Sequence, residues 1–263
     1  MSGSVALYDR LNILNVWVDA VDRNLAIRRV HDFLQSQDGP HVVFASNPEK
    51  NFSVPKDNAL YSVYKNADLL IPDGIGMVMA ARILYGTQIQ RIPGADFLCD
   101  ICELARDEGK GVFLYGSRDE VNALAEEKLK DLYPGIRMVG RSHGYVTPEQ
   151  MPDLIDRINR SGADILFIAL GSPRQEQWYG EHRDVLKHVK VCQGIGGSLD
   201  AIAGTVKRAP AFWRRHSLEW LYRLVTEPTR LKRQRVLPLF VVLVMFEKLK
   251  RMINGRRKRP EKR

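Results

Sequence analysis

Asp73 is the residue whose setting most suggests chemistry. It stands in Ile71-Pro72-Asp73-Gly74-Ile75-Gly76, at the end of an apolar run and between a proline and a glycine hinge. A carboxylate so placed can take a proton from an attacking hydroxyl. The same Asp-Gly pair suits a helix N-cap or an Asx turn, and on the residues alone the two readings stand level. Asn47 in NPEKN, with Arg91 and Asp96 in RIPGAD, makes up the other polar residues of the first half, while Gln175 and Glu176 open a helical segment in GSPRQEQW. No H-E-x-x-H, no G-x-S-x-G and no Ser/Lys or Cys/His signature is present, and the six histidines are scattered. No two aspartates stand two apart, so a D-x-D holding a divalent ion on a sugar nucleotide is absent and no metal ligand is assigned. If a nucleotide-sugar is the substrate, negative charge on its departing diphosphate falls to helix N-termini and to Arg or Lys.

Four apolar runs end in glycine-rich punctuation: at Pro72–Gly76, at Gly116-Ser117, at Gly171-Ser172-Pro173 and at Gly194-Ile195-Gly196-Gly197. Strand-to-helix turns of this composition let backbone N–H groups face a phosphate at a helix N-terminus. Gly116, Ser117 and Gly196 are therefore candidate ligand contacts. None of the four matches G-x-G-x-x-G or the P-loop, so dinucleotide redox chemistry and nucleoside-triphosphate hydrolysis lack their fingerprints.

The elements that must position these residues alternate. Strands are predicted at Ile13–Val18, His41–Ala45, Asp68–Ile71, Gly111–Tyr115, Ile136–Gly140, Asp164–Leu170 and Val189–Gln193. Helical periodicity marks Asn24–Gln35, Met77–Leu84, Ala95–Asp107, Glu120–Leu132, Pro148–Asn159 and Arg174–Leu186. The pattern predicts an α/β fold, a Rossmann-like and largely parallel sheet covered by helices, with functional residues on the loops that follow the strands.

Charge divides the chain. Residues 207–263 hold 18 Lys/Arg and 4 Asp/Glu, net +14, against 22 and 27, net −5, in residues 1–206, so the overall +9 averages two unlike parts. The expected organisation is a catalytic α/β domain, 1–204, and a basic helical appendage, 205–263. Within the appendage Val236–Phe246 is eleven residues without a charge, between Arg230–Arg235 and Lys248–Arg251. Spanning a bilayer takes about 20 apolar residues, so the run suits a helix lying in an anionic membrane interface; the bland alternative is a core helix docked on the body. Nucleic acid is the least favoured anion, because aromatics do not interleave with the basic residues. Cys99 and Cys102 form a C-x-x-C inside an amphipathic helix with no second pair, and with Cys192 they read as structural. The odd cysteine count and the absence of a secretory signal over Met1–Leu14 suggest a reducing, cytosolic side.

Taken in order, NPEKN (Asn47–Asn51), PDGIG (Pro72–Gly76), RIPGAD (Arg91–Asp96), GSPRQEQW (Gly171–Trp178), GIGGSLD (Gly194–Asp200), KRAPAFW (Lys207–Trp213) and LEWLYRLVTEPTR (Leu218–Arg230) resemble the WecG/TagA/CpsF family of bacterial glycosyltransferases over about residues 11–235. The resemblance implies a metal-independent, inverting transfer, without a cofactor, from a UDP-sugar to a polyprenyl-diphosphate-linked sugar at the cytoplasmic face of the cell membrane. It implies Asp73 as general base, Asn47, Arg91 and Gln175 as pocket residues, and Arg223, Arg230 and Arg233 of the appendage as diphosphate contacts. A homo-oligomer is left open. Ala45 stands where teichoic-acid and enterobacterial-antigen members usually carry Thr, which makes the chain look closer to exopolysaccharide members of the xanthan β-1,4-glucosyltransferase type. UDP-glucose is thus the expected donor. The alternatives are N-acetylmannosamine or its uronic acid onto lipid-linked N-acetylglucosamine, and a non-catalytic nucleotide-sugar-binding subunit.

Overall fold

The computed structural model describes residues 8–206, 235–254 and 261–262, with a few single positions between 210 and 225. Arg223, Arg230 and Arg233 lie outside the described residues.

Six strands form an all-parallel sheet: β3 (His41–Ser46), β4 (Leu69–Pro72), β5 (Gly111–Gly116), β6 (Arg137–Ser142), β7 (Ile165–Ala169) and β8 (Val191–Gly194). Their order is β4-β3-β8-β7-β5-β6. All but the edge strand β6 are apolar on both faces, which is why they read as continuous hydrophobic runs. Pleating sends alternate residues to two cores. Val42, Phe44, Phe113, Tyr115, Leu166 and Ile168 face one layer; Val43, Val112, Leu114, Ile165 and Phe167 face the other. The second layer is supplied chiefly by α1 (Arg23–Gln35), α5 (Gly94–Asp107) and α6 (Asp119–Leu132). Cys102 and Cys192 are buried free thiols whose burial pushes their pKa values up.

Two sequence expectations change here. The run Ile13–Val18 is a hairpin and not a strand of the parallel sheet: β1 (Asp9–Ile13) pairs antiparallel with β2 (Val16–Asp19), and Leu14 turns the chain at φ +59°. An apolar residue in that turn hid it. Arg10 and Asp19 close the hairpin with a buried two-pronged pair, Nε to Oδ1 at 2.6 Å and Nη2 to Oδ2 at 2.7 Å. Arg10 also donates to Lys65 O, and Asp19 accepts from Leu70 N–H, so the pair fastens the hairpin to the edge of the sheet. Removing one partner of such a pair costs about 3–5 kcal/mol.

The second change lies between β3 and β4, where α2 (Lys50–Ser53) and α3 (Asn58–Lys65) occur in a stretch with no helical assignment from sequence. Pro55 breaks the periodicity, and Asp57 then restarts it by accepting the Ala59 and Leu60 N–H groups as an N-cap.

Met77–Leu84 extends to α4 (Ile75–Tyr85). Pro148–Asn159 and Arg174–Leu186 each divide into a 3₁₀ turn and a shorter α-helix, α7 (Met151–Arg160) and α8 (Arg174–His182). A short α9 (Ser198–Ile202) follows β8. The C-terminal helix Val236–Ile253 contains the whole uncharged run. It docks on α4 through Phe240 and Val244, both 2% exposed, and through Arg251, whose guanidinium lies over Tyr85 and donates to Leu84 O. The core-docking alternative therefore accounts for one face of this helix. The remainder is bare: Leu239, Val241, Val242, Met245, Phe246, Leu249, Met252 and Ile253 are all exposed, the last by 75%. Among the described residues no helix is long and apolar enough to cross a membrane.

Candidate active site

The candidate residues gather along the carboxyl edge of the parallel sheet, where open α/β sheets bind ligands. They fall into two groups.

The first is assembled around β3 and β4. Ser46 ends β3 and is held from below by its own hydroxyl, which donates to Trp17 O at 2.6 Å. Asp73 N–H donates to Ser46 O at 2.9 Å, continuing the ladder and setting Asp73 beside Asn47. Gly74, at φ +109°, is the N-cap of α4, so Asp73 stands one residue before the cap. The chain after α4 returns to the same place, with Ile92 N–H donating to Pro72 O at 2.8 Å, and α5 starts at Gly94. A Cβ on Gly94 would lie 3.9 Å from Asp73 Oδ2 and 3.7 Å from the Ala45 methyl. RIPGAD thus lays the first turn of α5 against the Asp73 carboxylate, where the helix dipole favours negative charge. Asp96 belongs to that first turn, and Arg91 sits in the approach to it. Tight packing completes this half. A Cβ on Gly76 would come 2.6 Å from the Pro48 ring, and Phe240 of the C-terminal helix lies within 3.6 Å of the same point.

The second group is built mostly from backbone. The chain leaves β5 toward β6 and leaves β7 toward β8, in opposite directions across the sheet, and this divergence opens a crevice. A cleft of about 260 Å³ occupies it, lined by Ser117, Arg118, Tyr145, Gly171, Gly196 and Asp200 among others. Ser117, Gly171 and Gly196 all have positive φ, at +58°, +73° and +55°. Gly116 serves the cleft from beneath: a Cβ there would meet the Ala169 backbone at 2.5 Å, so only glycine lets β5 and β7 approach at their ends. Asn122, buried in α6, donates to Gly116 O and Ser142 O and holds the neighbouring strand ends together.

Gln175 and Glu176 are 4% and 0% exposed, so they face protein rather than the open cleft. Arg118, Tyr145 and Asp200 line the cleft, and Asn122 and Lys50 are buried close behind the candidate residues; sequence reasoning singled out none of the five. Arg118 and Tyr145 follow predicted strands, and Lys50 lies inside NPEKN, but no spacing rule singles them out.

A parallel sheet that carries a carboxylate at one strand end and a glycine-walled crevice at a topological switch point has the form of an α/β ligand-binding fold. Residues 11–254 match the glycosyl transferase WecG/TagA/CpsF family, and the chain belongs to that family: it is a glycosyltransferase. Two similar proteins are both named N-acetylglucosaminyldiphosphoundecaprenol N-acetyl-beta-D-mannosaminyltransferase. One, from Bacillus spizizenii, is 36% identical over 231 residues, covering 87% of this chain and 88% of its own. The other, from Bacillus subtilis, is 35% identical over 206 residues, covering 78% and 79%.

These names do not support the glucosyl donor expected from Ala45. The Ala45 methyl faces Gly94, beside the Asp73 carboxylate.

Proposed function

We propose that this glycosyltransferase moves an N-acetylmannosaminyl group from its UDP-linked form onto N-acetylglucosaminyl-diphosphoundecaprenol. The observation that carries this reading is the similarity to proteins named for that transfer over most of both chains. The geometry is compatible with it. The nucleotide and diphosphate occupy the glycine cleft, where Arg118 and the turns at Ser117, Gly171 and Gly196 offer charge and backbone donors, and Asp200 accepts from ribose hydroxyls.

On the other side, Asp73 takes the proton of the acceptor hydroxyl as its oxygen attacks the anomeric carbon. The bond from that carbon to the UDP oxygen breaks on the opposite face, and the pair of electrons leaves with UDP. One carboxylate and stabilising positive charge suffice, with no covalent intermediate and no metal ion. Asn47 and Arg91 orient the acceptor beside Asp73, and Asp96 completes that rim. Arg223, Arg230 and Arg233 meet the diphosphates.

The bare apolar face of Val236–Ile253, with Lys250 and Arg235 exposed at its ends, lies in the interface of the membrane that holds the lipid acceptor, at its cytoplasmic surface. Release of UDP from UDP-N-acetylmannosamine, dependent on the lipid-linked N-acetylglucosamine and undiminished in EDTA, tests the reading directly. Activity with UDP-glucose in its place, or none with either, would overturn it.

A further inference from the structure

Lys50 is only 5% exposed, an uncommon setting for a lysine. Its ammonium lies 5.5 Å from the Tyr64 ring centre, donates to Ser172 Oγ at 2.5 Å and forms an ion pair with Glu176 Oε1. The same carboxylate oxygen accepts from Gln175 Nε2 at 3.2 Å. Gln175 Oε1 in turn accepts the Gly196 N–H at 2.9 Å. The direction of this chain follows from its charges. Two donors, Lys50 and the Gln175 amide nitrogen, converge on one acceptor, so the amide oxygen is forced to face Gly196. Gln175 packs tightly on Gly194, where a Cβ would come within 2.5 Å of its Nε2. At the opposite end, Lys50 N–H donates to the backbone and side-chain oxygens of Asn47 at 3.1 and 3.3 Å. A run of polar contacts thus joins the Asn47 loop, beside Asp73, to the Gly196 turn in the wall of the glycine cleft.

A buried ion pair is a poor stabiliser, and two well-packed apolar residues in its place are often neutral or better for the fold. Orientation is what such a pair can supply and an apolar pair cannot. We propose that Lys50 is a positioning residue of the transfer reaction: through Glu176 and Gln175 it holds the Gly196 turn, at φ +55°, in the shape that receives the nucleotide, and so ties the donor cleft to the Asp73 side. The nucleotide part of this rests on the reading of the cleft as the UDP site.

The test compares the full-length wild type with Lys50→Met and with the double variant Lys50→Met/Glu176→Leu, which leaves no lone charge buried and so keeps the fold where the single variant loses it. Hydrogen exchange at the Gly196 amide is read without any ligand. Exchange at least roughly tenfold faster in the folded double variant is expected, since the amide loses its fixed acceptor, and unchanged exchange would overturn the relay. Calorimetry with UDP is expected to show about tenfold weaker binding, and donor KM should rise while acceptor KM holds. Equal UDP affinity in wild type and variant would overturn the proposal. A wild type that binds no UDP would count against the nucleotide reading alone, and the Gly196 exchange would still decide the relay.

Discussion

The two halves of the site are made of different material. Around Asp73 the candidate groups are side chains, Asn47, Asp73 and Arg91, on loops packed so closely that Gly76 and Pro48 leave no space between them. Across the sheet the cleft is walled by turns in which Ser117, Gly171 and Gly196 adopt positive φ. A side-chain half can lose a function while keeping its shape. A backbone half loses its shape first, because the substitution that would test it alters the turn itself. The comparison also explains why the conservative change Asp73→Asn and the small change Gly→Ala should have such different signatures.

The largest effect is expected from Asp73→Asn. Removing a general base at constant shape should lower turnover by roughly 10² to 10⁴-fold, with the melting temperature and UDP affinity unaltered. Normal turnover in a single-turnover assay would leave Asp73 a structural aspartate and erase the distinction between the halves. Next is Gly116→Ala, where the added methyl would meet the Ala169 backbone at 2.5 Å on a residue at φ +127°. It should destabilise by about 2–3 kcal/mol or more, seen as a fall in the urea midpoint, and UDP affinity should fall with it. A stable variant with intact UDP binding would show that the cleft does not depend on close approach of β5 and β7.

A third, smaller effect separates both halves from the C-terminal helix. Phe246 is 65% exposed and Val242 62% exposed, on the face away from α4. Changing both to Ser should weaken binding to anionic vesicles by roughly tenfold or more, from about 1–3 kcal/mol of lost apolar burial, while transfer to a soluble acceptor analogue is unchanged. Sedimentation with vesicles measures the first and UDP release the second, and undiminished sedimentation would remove the interfacial role.

The smallest effect is on acid stability. Burial pushes the Asp68 carboxyl up, but hydrogen bonds from His41 and from the Val42 N–H outweigh it and hold the net value below the ordinary 3.8. The Leu60 N–H, with that of Ala59, does the same for Asp57. Groups with lowered folded values contribute stability that is whole above the ordinary carboxyl range and is lost as pH falls through the folded value. Denaturation midpoints should therefore be flat down to about pH 4 and decline below it. Asp57→Ala and Asp68→Asn should each flatten that decline, and an unchanged acid limb in both would show that neither carboxylate carries it.

Much of this architecture is legible along the chain, for a local reason. Strands buried on both faces must be apolar throughout, so β3, β4, β5, β7 and β8 declare themselves. Loops at their carboxyl ends must then carry the polar residues, which singles out Asp73, Asn47 and the glycine turns. The hairpin was not legible, because its turn residue Leu14 continues the apolar run it interrupts. Nor were α2 and α3, since Pro55 removes the periodicity by which helices are recognised. The glucosyl donor expected from Ala45 is not supported by the two similar proteins, both named for N-acetylmannosaminyl transfer.

What the sequence determined by itself is the family, the alternation that yields a parallel sheet, the place of Asp73 at a strand end, and the division between a mildly acidic body and a basic tail. These depend on composition, period and order, which are properties of neighbours in the chain. Tertiary structure alone decided that Lys50 meets Glu176, 126 positions away, that Gln175 turns inward to the Gly196 amide, and that the uncharged C-terminal run presses one face on α4 and leaves the other bare. Crossover connections choose those partners, and no spacing within the chain records which loop a crossover will lay beside another.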